Sequence, residues 1–344
     1  MLSKKIVDLT GLSEEELLER RVSDLYLKIE GTWLEECVAE LYRELESKGL
    51  SFRPECYLAD EWLAPDKEPV IGIPFFLADP VLMKIERKMM YEVEGGTRAW
   101  CMKLLRHEAG HAVNYAYRLY RQKRWRELFG SFSQEYGDTY RFRPYSKNYV
   151  RHLEKHYAQY HPDEDFAETF AVWLSPGADW REGYKTWKKA LVKLEYIDEL
   201  MGRIGSKMPV VSGGKKHWRL STLNIKLGNY YRKKRDLSRE EFPDFHDRYL
   251  RTIFSEVEEG KKNKYPANVF IRKYRRQILD SVAGCTGERK YIIEDILKAM
   301  TKRSRECDLC ASGEEQALAI KMTAYVTVLV MNYLHTGRLH GKKT

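Results

Sequence analysis

The chain has 344 residues, of which 43% are apolar and 12% aromatic, and it carries a formal charge of +9. This composition excludes a disordered or fibrous chain, and the length allows one large core or two modest ones. Six cysteines spread over so long a chain argue against a disulfide framework, and the first ten residues lack the apolar stretch of a secretory signal, so the cytoplasm is the expected location.

Ser13 followed by Glu16 predicts a capping box that opens a short helix before Leu17 and Leu18. A longer helix is expected over about residues 32–48, where Leu34, Val38, Leu41, Tyr42 and Leu45 share a face and Gly49 supplies a stop. Two strand-like pieces follow, near residues 52–58 and 70–77; Pro74 in the second suits an edge strand, because proline cannot donate to a ladder. Helical signal returns over about 81–94, Gly95-Gly96 breaks it, and a further helix runs from about Thr97 past Tyr117. Residues 129–163, rich in Gly, Ser, Pro, Tyr and Arg, read as a long excursion of the kind that often carries function. Helices resume from about Pro162 to Ser175 and from Thr186 to Met201.

The stretch 202–216, with four glycines and three lysines, is the expected linker between a region 1–201 and a basic helical region 217–344. The fold class that results is α+β and predominantly helical, with a small sheet whose edge strand lies beside the helix of residues 97–117. Residues 1–201 hold 30 Lys/Arg against 35 Asp/Glu, whereas 202–344 hold 30 against 16, so the positive charge sits in the second part. There Tyr230 to Arg235 and Ile271 to Gln277 mix aromatic and cationic residues, as nucleic-acid stacking platforms do, although solvated helix faces explain the same residues and are the preferred reading. The most apolar stretch, Ala317 to Leu334, is interrupted by Lys321, Thr323, Thr327 and Asn332 and reads as a core helix, so no membrane partner is expected. Cys307 and Cys310 form a lone CxxC, and a structural zinc site would need a second pair of ligands. Nothing in the sequence sets the oligomeric state.

The segment His107-Glu108-Ala109-Gly110-His111 carries the chemistry. On a helix, positions i and i+4 lie one turn apart on one face, so both imidazoles can address one ion while Glu108 stands beside it as a general base. The apolar positions of this helix are already supplied by Leu104, Leu105, Ala112 and Val113, and Gly110 costs about 1 kcal/mol of helix propensity, which hints at close packing there. A catalytic zinc needs a third protein ligand and an open position. The metzincin continuation is excluded, because Asn114 and Tyr117 stand where its glycine and histidine would be. The next acid-bearing helix, opened by Pro162, places Glu164 and Glu168 on one face; one can bind zinc while the other accepts the free N–H of a ligand histidine. Asp165, and His152, His156 and His161, remain alternative ligands. These residues predict a zinc-dependent hydrolase, with a basic binding module as the reading from another class.

The pairing of HExxH with a later Glu-x-x-x-Glu helix resembles the gluzincin metallopeptidases, and most of all the catalytic domain of anthrax lethal factor. That domain has a tyrosine seven residues before its ligand glutamate, as Tyr157 stands before Glu164. Residues from about 57 to 201 also resemble bacterial proteins described as zinc-binding metallopeptidases. The resemblance implies a Zn2+ held by His107, His111 and Glu164, with Glu168 behind a ligand histidine, Glu108 as base and Tyr157 steadying the oxyanion of a peptide or protein substrate. A zinc-dependent amidohydrolase acting on a non-peptide substrate is the neighbouring alternative. The resemblance further implies that Pro69 to Phe76 offers a strand edge to the substrate backbone; a buried strand covering the motif helix is the competing reading.

Overall fold

The computed structural model describes residues 9–136, 143, 145–153, 156–236, 245–256 and 265–336. Among them are thirteen α-helices and two small two-stranded sheets, so the protein is predominantly helical with a minor β component. The chain divides into two compact units, one of Met1–Lys88 and Val93–Tyr231, the other of Met89–Glu92 and Arg232–Thr344.

The first unit begins with α1 (Glu14–Glu19), opened by the expected capping box, and α2 (Trp33–Ser47), whose Leu34, Val38, Leu41 and Leu45 are buried. Then come β1 (Glu55–Ala59), β2 (Val70–Pro74), α3 (Pro80–Met90) and α4 (Arg98–Ala116), with Thr97 as N-cap of α4. They are followed by α5 (Lys123–Phe129), α6 (Pro162–Leu174), α7 (Trp180–Gly183), α8 (Lys188–Ile204) and α9 (Leu227–Asp236), of which Leu227–Tyr231 belong to this unit. α4 and α6 form the middle of the unit. Every residue of α6 is buried, and so are fourteen of α4, which is why neither helix shows the one-sided apolar stripe of a surface helix. Arg106 on α4 holds α2 through a bidentate pair with buried Glu44, at 2.8 and 2.6 Å.

β1 and β2 are parallel, with Tyr57 opposite Gly72. All five residues of β2 are buried. On its outer side the strand meets the chain itself: Gly72 and Leu63 exchange both backbone hydrogen bonds, at 2.8 and 3.3 Å. A Cβ on Gly72 would lie 2.3 Å from the Leu63 side chain and 2.9 Å from the Ala59 Cβ, so a larger residue would have to displace both. The edge expected to accept substrate is therefore closed at Gly72, and the buried reading of this strand is the one the structure supports. Within residues 202–216, the Val211 N–H donates to the Ala116 carbonyl and the Lys215 N–H to Glu68, both within the first unit.

The second unit contains α10 (Phe245–Ile253), β3 (Ser255–Glu256), α11 (Ala267–Thr286), α12 (Lys290–Glu306), β4 (Leu309–Cys310) and α13 (Glu315–Thr336). Leu250, Phe254, Phe270, Ile293, Leu297 and Val326 belong to its core. The segment Glu315–Leu334 is long and apolar enough to cross a membrane, and 33% of it is buried within the protein. The rings of the two aromatic and cationic clusters are engaged internally: Tyr231 is fully buried, and the Tyr274 hydroxyl donates to Glu315 at 2.5 Å.

Candidate metal centre

His107 and His111 lie one turn apart on α4, and Glu164 faces them from the first turn of α6. Pro162 at the start of α6 fixes a helical φ, and the ring Nδ1 of His161 caps the helix by accepting the Asp163 N–H at 3.1 Å. The two helices touch where Gly110 opposes Ala167: a Cβ on Gly110 would sit 2.8 Å from the Ala167 Cα and 3.2 Å from the Phe170 Cβ. The glycine inside the motif is thus what lets α6 come close enough to bring its carboxylates to the imidazoles.

Three donor atoms converge. His107 Nε2 and His111 Nε2 are 3.2 Å apart, and Glu164 Oε2 lies 3.1 Å from the first and 3.2 Å from the second. A tetrahedral ion with bonds of about 2.0–2.1 Å needs its ligand atoms about 3.3–3.4 Å apart, so this near-equilateral triangle fits one face of such an ion and leaves the fourth position open. Among the described residues these three form the one group of His, Cys, Asp or Glu close enough to hold a metal ion.

The other ring nitrogens are each fixed by a buried acid. Glu168 Oε1 accepts from His107 Nδ1 at 2.9 Å, while its Oε2 accepts the backbone N–H groups of His152 and Leu153 at 3.3 and 2.8 Å. Asp163 Oδ2 accepts from His111 Nδ1 at 2.9 Å and from the Tyr115 hydroxyl at 2.5 Å, and its Oδ1 accepts from Asn114 at 2.7 Å. With Nδ1 donating, both Nε2 lone pairs point to the common centre.

The electrostatics of this pocket favour a cation. Burial pushes the His107 imidazole down, yet the hydrogen-bonded carboxylates of Glu164 and Glu168 outweigh it and hold it at about 9. The same contest, with Asp163 and Glu164 as the partners, holds His111 well above its usual value. Burial pushes Glu164 up, but His111 and His107 hold it well below the carboxylate range. Glu108, also buried, is pushed up by burial. Four buried acids, Glu108, Asp163, Glu164 and Glu168, thus surround two imidazoles, a balance that a divalent ion completes.

Tyr157 lies beside the pair, its ring centroid 5.7 Å from that of His107. Three of the alternative ligands, Asp165, His152 and His161, are engaged with other partners. Asp165 pairs with buried Lys193 at 2.5 Å, and burial, only partly offset by that lysine, lifts its carboxyl to about 7. His152 Nε2 meets the Lys103 carbonyl at 2.8 Å and His161 Nε2 the Gln134 carbonyl at 2.8 Å. Sequence reasoning did not identify Asp163, Asn114 and Tyr115 as parts of the site. Their signal lies in the opposed run of the two helices: stepping one turn forward on α4, from His107 to His111, steps back on α6 from Glu168 to Asp163.

A helix-borne histidine pair completed by a carboxylate from a second helix is a donor set that suits zinc and that catalytic zinc sites of hydrolases use. A family model described as "Putative zinc-binding metallo-peptidase" matches residues 59–199, less than half of the chain and the part that contains α4 and α6. The match supports a zinc metallopeptidase at that coarse level, and with it zinc as the metal and peptides or proteins as substrates. Among curated proteins and among solved structures nothing matches the chain.

Proposed function

We propose that the protein is a gluzincin-type zinc peptidase in which His107, His111 and Glu164 hold the metal and Glu108 is the general base. The observation that carries this reading is the triangle of donor atoms, each imidazole backed by its own buried carboxylate. A bound zinc would act as a Lewis acid, polarising the scissile carbonyl and lowering the pKa of a water toward 7.

The chain's own residues do the rest. Glu108 accepts the proton of the attacking water; burial, by raising its affinity for that proton, suits it to carry the proton on to the leaving amine. Tyr157, in the short 3-10 turn Tyr157–Gln159 beside His107, donates its hydroxyl to the oxygen that gains charge as the carbonyl carbon becomes tetrahedral. Glu168 and Asp163 keep the two imidazoles in one tautomer and one orientation throughout. Because Gly72 is already paired with Leu63, the substrate is held by means other than backbone pairing at that point of β2.

Replacing Glu108 by Gln tests this directly. The variant should keep one zinc per chain and lose peptide hydrolysis by about 10²–10⁴-fold, whereas His111→Ala should lose the metal itself. Undiminished hydrolysis by Glu108→Gln would remove the base from the account.

A further inference from the structure

Tyr136 comes from the excursion between α5 and α6, yet it is bound to the ligand glutamate. Its hydroxyl donates to Glu164 Oε1 at 3.1 Å, while Oε2 of the same carboxylate faces both Nε2 atoms. The ring that carries this hydroxyl is half exposed but held on one face. It stacks on the His161 imidazole with centroids 3.9 Å apart and planes 14° apart, and it meets the edge of Tyr160 at 5.4 Å. His161 is itself immobilised at both nitrogens, through the Asp163 N–H and the Gln134 carbonyl. Since His161 is the N-cap of α6 and Glu164 lies in its first turn, the plate that seats the phenol and the carboxylate that receives it belong to one rigid segment.

We propose that Tyr136 is a positioning residue that keeps Glu164 bound to the metal through a single oxygen. A carboxylate with both oxygens free can offer both to one ion, which would occupy the position substrate and water need. The phenol holds Oε1 turned toward itself while Oε2 faces the two Nε2 atoms, an orientation of the carboxylate that favours binding through Oε2 alone. The hydroxyl, and not the ring, carries this role: a phenylalanine would keep the stacking on His161 and lose only the donor.

The proposal rests on the metal-centre reading given above, and its test separates the two. Wild type, Tyr136→Phe and Tyr145→Phe would each be loaded with Co2+ and their visible spectra recorded. Tyr145, which is 92% exposed in the same excursion, serves as the control. Intensity of the cobalt bands falls as coordination rises from four to five. Wild type and Tyr145→Phe should give the strong four-coordinate spectrum and Tyr136→Phe a weakened one. Hydrolysis by Tyr136→Phe should fall about 10–100-fold, in line with the loss of a residue that orients a ligand, at an unchanged melting temperature. A Tyr136→Phe spectrum and rate equal to those of wild type would overturn the proposal while leaving the metal centre standing. Failure of wild type to take up cobalt would overturn the metal-centre reading and the proposal together.

Discussion

Gly110→Ala is the substitution whose outcome follows most closely from the packing. In an isolated helix the change would stabilise by about 1 kcal/mol, because alanine is the better helix former. Here the new Cβ would stand 2.8 Å from the Ala167 Cα and 3.0 Å from its carbonyl oxygen, against an ordinary contact of 3.4 Å or more, and both are backbone atoms that no rotamer change can move. The helices must therefore separate by roughly 0.6 Å, with an overpacking cost of about 1–3 kcal/mol that cancels or exceeds the propensity gain. The displacement falls between Glu164 and Glu168 on α6, the two acids that bind and orient the site, and constellations of this kind tolerate about 0.5 Å. We expect a net loss of up to about 2 kcal/mol by urea unfolding and a zinc affinity at least about tenfold weaker by chelator competition. A variant that gained about 1 kcal/mol and bound zinc as wild type does would show that α4 and α6 are not in contact at this point.

Other consequences are as specific. Asp163→Asn should weaken zinc binding by about 10–100-fold without unfolding the protein, measured by the same competition, because His111 loses the acid that fixes its tautomer. Lys193→Met removes the partner of a buried carboxylate and should cost about 3–5 kcal/mol near pH 8. That cost should shrink near pH 6, where Asp165, already lifted to about 7 with the lysine present, takes up a proton; urea titrations at the two pH values would show it. His152 has its pKa lowered to about 4 by burial, against 6.5 for an ordinary histidine. The unfolded chain therefore takes up a proton there before the folded one, and stability should decline as pH falls from about 6.5 to about 4, by at most about 3 kcal/mol and less for a part-exposed ring. His152→Gln should flatten that part of the stability profile; an unchanged profile would refute the assignment.

Local order was legible wherever a side chain announces it. The capping box at Ser13, the buried face of α2, the Pro162 start of α6 and the one-turn spacing of His107 and His111 all follow from short-range rules. Gly110 was legible as a place of close approach, but not its partner, since Ala167 lies far along the chain and bears no distinguishing chemistry. Asp163 was masked by its own good local explanation, an acid in the first turn of a helix; that it also meets His111, Asn114 and Tyr115 depends on how α4 and α6 are registered. Backbone pairings such as Gly72 with Leu63 and Val211 with Ala116 leave no side-chain signature, so neither could be read from residue types. Tyr136 was one tyrosine among several in the excursion, and its stacking on His161 is what sets it apart.

The account stands or falls on a metal ion at the meeting of α4 and α6. Diffraction at the zinc absorption edge, from crystals grown with zinc, should show one anomalous peak per chain. It should lie about 2.0–2.2 Å from His107 Nε2, His111 Nε2 and one oxygen of Glu164, with Glu108 beside the remaining position. A peak elsewhere, or none between the two imidazoles while Glu164 turns away, would contradict it.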